Sequence, residues 1–268
     1  MLFLVVGWLI GTSASPAFCT TANTDLAEKT EAFRPRTGTF QLLESSVAAK
    51  DPVVFVWETS DDPDWFKPYQ GLDAAYQDFA TGVRAHVDPD PRAILIRNRE
   101  NWKKKGWSTE RYDLILSGRL GSIRPINRIE AEIFLLQLDR FGKSCTGEIL
   151  VFVLRKAGRL GMYGYATATK TIKPGILRHK LEADIADHWE FCASLHNHPF
   201  DFSGKDTTGG MLYPSGDTAD GDVQYYLADS ENFGLQRAWI TNGFDTIEVA
   251  AKEFPALGAS FDPFEKAK

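Results

Sequence analysis

An α/β (α+β) chain, a curved mixed β-sheet flanked by helices, is the fold class the sequence predicts, and three observations predict it. Residues 53–57 and 149–154 are unbroken runs of apolar, β-branched and aromatic side chains of strand length. Between them Ile126, Ile129, Ile133 and Leu136 recur at helical spacing. Near the C-terminus, residues 239–243 read as a strand and turn, and residues 246–250 as the hairpin partner that closes the sheet. With 268 residues, 43% hydrophobic and 25% charged, the chain is ordinary globular material, enough for one large domain or two small ones.

Taken in order, residues 2–10 form an apolar run followed by small residues to Ala17, the pattern of a secretory signal peptide over residues 1–22, although no Lys or Arg precedes the run. This predicts a secreted or periplasmic protein. The run is too short to span a bilayer, so no stable membrane insertion is expected. A lipid anchor on Cys19 ranks below simple export, because bulky Phe18 precedes it. Residues 20–37 read as a polar linker. Residues 53–57 are a strand, 60–64 a turn or helix start, and 71–83 a short helix. Asp88-Pro89-Asp90-Pro91 breaks the chain, and residues 93–96 and 112–116 are further short apolar runs. The helical stripe spans residues 126–141, with Gly142 as its C-cap. Residues 155–165 read as a hairpin into the next strand.

A net charge of −6 argues against a general phosphate-backbone binder, so no nucleic-acid partner is expected. The basic cluster Lys103-Lys104-Lys105, beside Trp102 and Trp107, reads as a solvated loop or helix end. Without the leader, Cys145 and Cys192 remain. They form one disulfide, contributing on the order of 2–4 kcal/mol, or stay as two buried thiols.

The reactive side chains gather in the second half. Residues 189–195 read as a buried strand that delivers His196 and His198 to the same side of an extended backbone before Pro199 stops the ladder. Two neutral imidazoles and one carboxylate leave the fourth position of a tetrahedral zinc open, as hydrolytic zinc requires; the bland alternative is a solvated His-x-His. Glu148 opens the strand at 149–154. It is a general base at the edge of a partly dry site or a carboxylate at a solvated strand end. Beyond a Gly-rich loop over residues 200–214, the acids Asp217, Asp220 and Asp222 precede a helix marked by Val223, Tyr226 and Leu227. Acids at that position cap free N–H groups, and they supply a third ligand.

This order of parts resembles the JAMM (MPN-plus, JAB-like) zinc metallopeptidase family: a buried helix, a strand-opening Glu, a strand ending His-x-His-Pro, then a loop and a Ser-x-x-Asp at a helix start. The resemblance covers roughly residues 126–249 and implies a JAMM/cytidine-deaminase-like core. It also implies Zn2+ held by His196, His198 and an Asp, Glu148 as the acid/base that activates the attacking water, and a Ser that stabilises the oxyanion. Asp222 ranks first as third ligand and Asp220 second, with Asp217 also a competitor. The literal motif Ser203-Gly204-Lys205-Asp206 stands too close to Pro199 and lacks a following helix. Three residues before Asp222 stands Ala219, so Ser215 or Thr218 is the candidate hydroxyl, and the long reach from His198 to Asp222 implies an insertion over the site. The expected organisation is a signal peptide at 1–22, an N-terminal extension or small subdomain at 23–120, the JAMM-like domain at 121–255 and a tail at 256–268. The expected function is hydrolysis of a peptide or isopeptide bond in a peptide or protein substrate. A catalytically inactive JAMM-like binding module and a secreted structural or adhesive protein are the alternatives. Convergence of Glu148, both histidines and one Asp separates these readings.

Overall fold

The computed structural model describes residues 37–45, 52–141, 147–168, 175–200, 209–215 and 221–259. The expected leader with Cys19, the linker at 20–36, and Gly142, Cys145, Asp206, Asp217, Thr218 and Asp220 lie outside these residues.

Eight strands form one sheet: β1 (Thr39–Ser45), β2 (Val53–Ser60), β3 (Ser122–Pro125), β4 (Ile149–Lys156), β5 (Arg159–Ala166), β6 (Glu190–Asn197), β7 (Arg237–Thr241) and β8 (Asp245–Ala250). Their order is β1-β2-β5-β4-β6-β7-β8-β3, with every neighbour antiparallel except the parallel pair β6 and β7. Seven α-helices accompany them among the described residues: α1 (Ala74–Arg84), α2 (Pro91–Lys104), α3 (Glu110–Leu116), α4 (Arg128–Phe141), α5 (Gly175–Ala186), α6 (Asp222–Phe233) and α7 (Phe254–Ala259). The mixed α/β class expected from the apolar runs is the observed one.

Local chemistry accounts for the element boundaries. The β4–β5 hairpin turns through Ala157 (φ 48°) and Gly158 (φ 75°), two left-handed residues that match the twist of the flanking strands. Helix α4 opens on a reciprocal pair: the Glu130 N–H donates to Asn127 Oδ1 at 2.9 Å and the Asn127 N–H to Glu130 Oε2 at 2.6 Å. The Asp-Pro-Asp-Pro break is a helix start. Pro91 occupies the first turn of α2, and the Asp90 side chain accepts the Arg92 N–H at 3.0 Å. The apolar run at 93–96 is therefore helical, with Ile94 and Leu95 buried and Lys103 and Lys104 in the exposed last turn.

Burial splits the sheet residues by parity. One face carries Val53, Phe55, Trp57, Val151, Val153, Leu195 and Trp239 against Ile129, Ile133 and Leu136 of α4. The other side of α4 packs Phe134, Leu135 and Leu138 on Tyr76, Phe79 and Val83 of α1, which is why residues 129–138 are all buried. The opposite sheet face, with Val54, Phe152, Tyr163, Ala238 and Ile240, is covered by residues of α3, α5, α6 and α7 together with Leu212 and Tyr213.

Among the described residues Cys192 is a free, buried thiol, and Cys145, its expected partner, lies outside them. Burial pushes the Cys192 thiol pKa up.

Candidate metal centre

The strand period of two puts His196 and His198 on one face of β6, and the ladder fixes what faces them. His196 pairs with Leu150 of β4 on one side and with Ile240 of β7 on the other. Continued two residues, the β4–β6 register sets Glu148 across from His198 on that same face. The His198 N–H donates to the Thr241 carbonyl at 2.8 Å, so the pair sits where parallel β6 and β7 both end.

Helix α6 begins at this point, with Asp222 in its first turn. The Nε2 atoms of His196 and His198 are 3.1 Å apart, and Asp222 Oδ2 lies 3.3 Å from the first and 4.0 Å from the second. Ligand atoms at 2.0–2.1 Å from a tetrahedral ion are about 3.3 Å from one another, so this spacing is close to that of a metal centre. These three residues are the group of His, Cys, Asp or Glu side chains among the described residues that could hold a metal ion. His86, His179 and His188 are exposed.

The outer nitrogens are also engaged. His198 Nδ1 lies 2.7 Å from the Met211 carbonyl, which can only accept, so Nδ1 carries the hydrogen and neutral Nε2 keeps its lone pair. His196 Nδ1 lies 2.9 Å from the Tyr226 hydroxyl. Burial works against ionising Asp222, yet the charge and hydrogen bond of His196, the charge of His198 and the Ser215 N–H hold its carboxyl well below the usual carboxylate range. Burial likewise opposes charge on His196, but Asp222, with Glu148 behind it, raises its pKa overall. Two imidazole nitrogens at 3.1 Å repel as facing lone pairs unless a cation or proton lies between them. With an ionised carboxylate completing the set, the donors fit a divalent metal.

Ser215 joins Asp222 across seven positions of sequence. Its N–H donates to Asp222 Oδ2 at 2.7 Å, and its Oγ accepts the Asp222 N–H at 3.1 Å. Gly221 occupies the N-cap without a side-chain bond, so Ser215 does the capping from a distance. Because Oγ accepts in that contact, the hydroxyl keeps its own hydrogen for donation.

The segment carrying Met211 and Ser215 is held by helices of the first half. Arg111, 2% exposed, donates to the carbonyls of Pro214 at 3.2 Å and Leu257 at 2.9 Å. Tyr213 stacks on Tyr112 at 4.4 Å between ring centroids and meets Trp102 at 5.6 Å.

Glu148 is half-buried, and its backbone is clamped from three sides. Asn197, the residue between the histidines, faces the other side of β6, where its Oδ1 accepts the Ile149 N–H at 2.7 Å and its Nδ2 donates to Gln137 Oε1 at 2.9 Å. Gln137 Nε2 in turn donates to the Gly147 carbonyl at 2.5 Å, and the Thr167 N–H to the Glu148 carbonyl at 3.0 Å. A Cβ on Gly147 would stand 1.9 Å from the Thr167 carbonyl oxygen, so only glycine fits. Sequence reasoning missed Gln137, Asn197, Tyr226 and Arg111. Signals existed for three of them: a glutamine in an otherwise apolar helical stripe, an amide between two histidines, and a tyrosine one turn beyond Asp222.

No family model matches the chain, and neither a curated protein nor a solved structure matches it.

Proposed function

We propose that the chain is a zinc-dependent hydrolase of the JAMM type that cleaves a peptide or isopeptide bond, and that the leader at residues 1–22 exports it. The observation that carries the reading is the convergence of His196 Nε2, His198 Nε2 and Asp222 Oδ2 with Glu148 on the same face beside them. Zinc held by those three atoms would supply the positive charge that acidifies water and polarises a carbonyl. Glu148 takes a proton from the attacking water and returns it to the leaving amine. The Ser215 hydroxyl, fixed beside Asp222, donates to the oxyanion. Met211 and Tyr226 hold the two rings, and the Gln137–Asn197 clamp holds the strand start that carries Glu148.

Elemental analysis of the purified protein tests the reading. About one zinc per chain is expected, lost in both His198→Ala and Asp222→Ala. Glu148→Gln should keep the zinc while hydrolysis of a quenched-fluorescence peptide library falls by about 10²–10⁴-fold. Zinc in the wild type and in Glu148→Gln but no hydrolysis by the wild type would leave a metal-containing binding module, and zinc retained in His198→Ala and Asp222→Ala would overturn the ligand set. No zinc after reconstitution would overturn the proposal.

A further inference from the structure

We infer that Tyr226 positions His196 for the metal, so that helix α6 supplies one ligand and also the group that aims a second; the inference rests on the metal-centre reading above. An imidazole presents its Nε2 lone pair only when Nδ1 carries the hydrogen, and a buried Nδ1–H needs an acceptor. His196 is 4% exposed, and its flanking partners in the sheet, Leu150 and Ile240, are apolar. The Tyr226 hydroxyl, 2.9 Å from Nδ1 and on a side chain 3% exposed, provides that acceptor. The ring of Tyr226 also stacks on Phe254, with centroids 5.5 Å apart. Tyr226 lies one helical turn beyond Asp222, so ligand and positioning residue share a face of α6 and keep a constant relation to each other. The two histidines differ here. His198 is oriented by the Met211 carbonyl, which no substitution removes, whereas His196 depends on a side chain.

Competition of zinc between the protein and a chelator of known affinity tests this, with wild type, Tyr226→Phe and Phe254→Leu compared. Tyr226→Phe keeps the ring and loses only the hydroxyl. It should bind zinc about 10–100-fold more weakly while the zinc-stripped variant retains the wild-type circular dichroism. Phe254→Leu disturbs the packing under the ring but leaves the hydroxyl, and should bind zinc close to normally. In the zinc-loaded protein the Nδ1–H proton of His196 should exchange slowly by NMR in the wild type and rapidly in Tyr226→Phe. Unchanged zinc affinity in Tyr226→Phe, or an equal loss in Phe254→Leu, would overturn the inference and leave the metal centre standing. Failure of the wild type to bind zinc would overturn the metal centre itself.

Discussion

Asn197 shows how much of the candidate site depends on residues that never touch it. Its amide, 1% exposed, is spent on the Ile149 N–H and on Gln137, which in turn grips the Gly147 carbonyl. The residue between two histidines that face the candidate centre must point to the opposite side of the strand, here into the layer between β6 and α4. An aliphatic side chain would suit that core better, so the amide is there for the strand start it holds. Asn197→Ala strands a buried backbone donor and a buried side-chain acceptor. At about 1–3 kcal/mol for each unsatisfied group, the variant should lose about 2–6 kcal/mol. Urea denaturation checks this as a lower midpoint with an unchanged slope. A loss below about 1 kcal/mol would mean that water replaces the amide and that the clamp is not what fixes Glu148.

Among the elements, α6 contributes to the candidate centre most densely. Asp222, Tyr226 and Asp229 fall at successive turns of one stripe, the first at the candidate centre and the last in an ion pair with Arg178 of α5 at 2.8 Å. That pair should hold the Asp229 carboxyl low, yet burial of the carboxylate outweighs the partly exposed guanidinium, and the pKa is pushed up to about 6. A folded pKa above the unfolded value of about 3.9 means that the folded state holds an extra proton between the two. The stabilising contribution is complete below about pH 4 and is lost as pH rises through about 6. In metal-free protein, Asp229→Asn should therefore gain on the wild type by about 3 kcal/mol between about pH 4 and pH 7.5. Melting temperatures of both proteins across that range check it, and a constant difference would show that Arg178 keeps the carboxylate ionised throughout. The same elements show what the sequence made legible. The α4 stripe and the strand into His196 were readable because a single periodicity runs through each. Helix α2 was obscured by its own N-cap, since Asp-Pro-Asp-Pro signals a break as readily as a helix start. Helix α5 was not read because its polar and apolar residues are spread almost evenly around its axis.

At the scale of the whole molecule, local pattern gave the class of the fold but not the order of its strands. β2 pairs with β5, Trp57 facing Met162, and β3 with β8, Ser122 facing Glu248, and no nearest-neighbour signal encodes such distant pairings. The candidate site divides in the same way. His196, His198 and Glu148 were legible because the strand period sets the two histidines on one face and a carboxylate stands directly before an unbroken apolar strand. Ser215 and Asp222 become partners only when α6 folds back on the segment before it, and Tyr226 matters only once His196 is beside it. β1 and β2, from the first half, belong to the sheet that carries the histidines, and this gives a test of its unity. The ring of Phe55 lies over Gly164, where a Cβ would approach it to 2.0 Å, so β5 has no side chain of its own to fill that space. Val53, Phe55 and Trp57 are each no more than 1% exposed. At about 1.5–3 kcal/mol for each buried side chain, their loss approaches the whole net stability of a typical domain, about 5–15 kcal/mol. A chain shortened to begin at Asp61 should therefore fail to fold, with no cooperative thermal transition by circular dichroism and strong binding of a hydrophobic dye, whereas the full chain should melt cooperatively. If the shorter chain melted cooperatively at the same temperature, β1 and β2 would be an appendage, and the rest of the sheet would be sufficient to carry the metal centre.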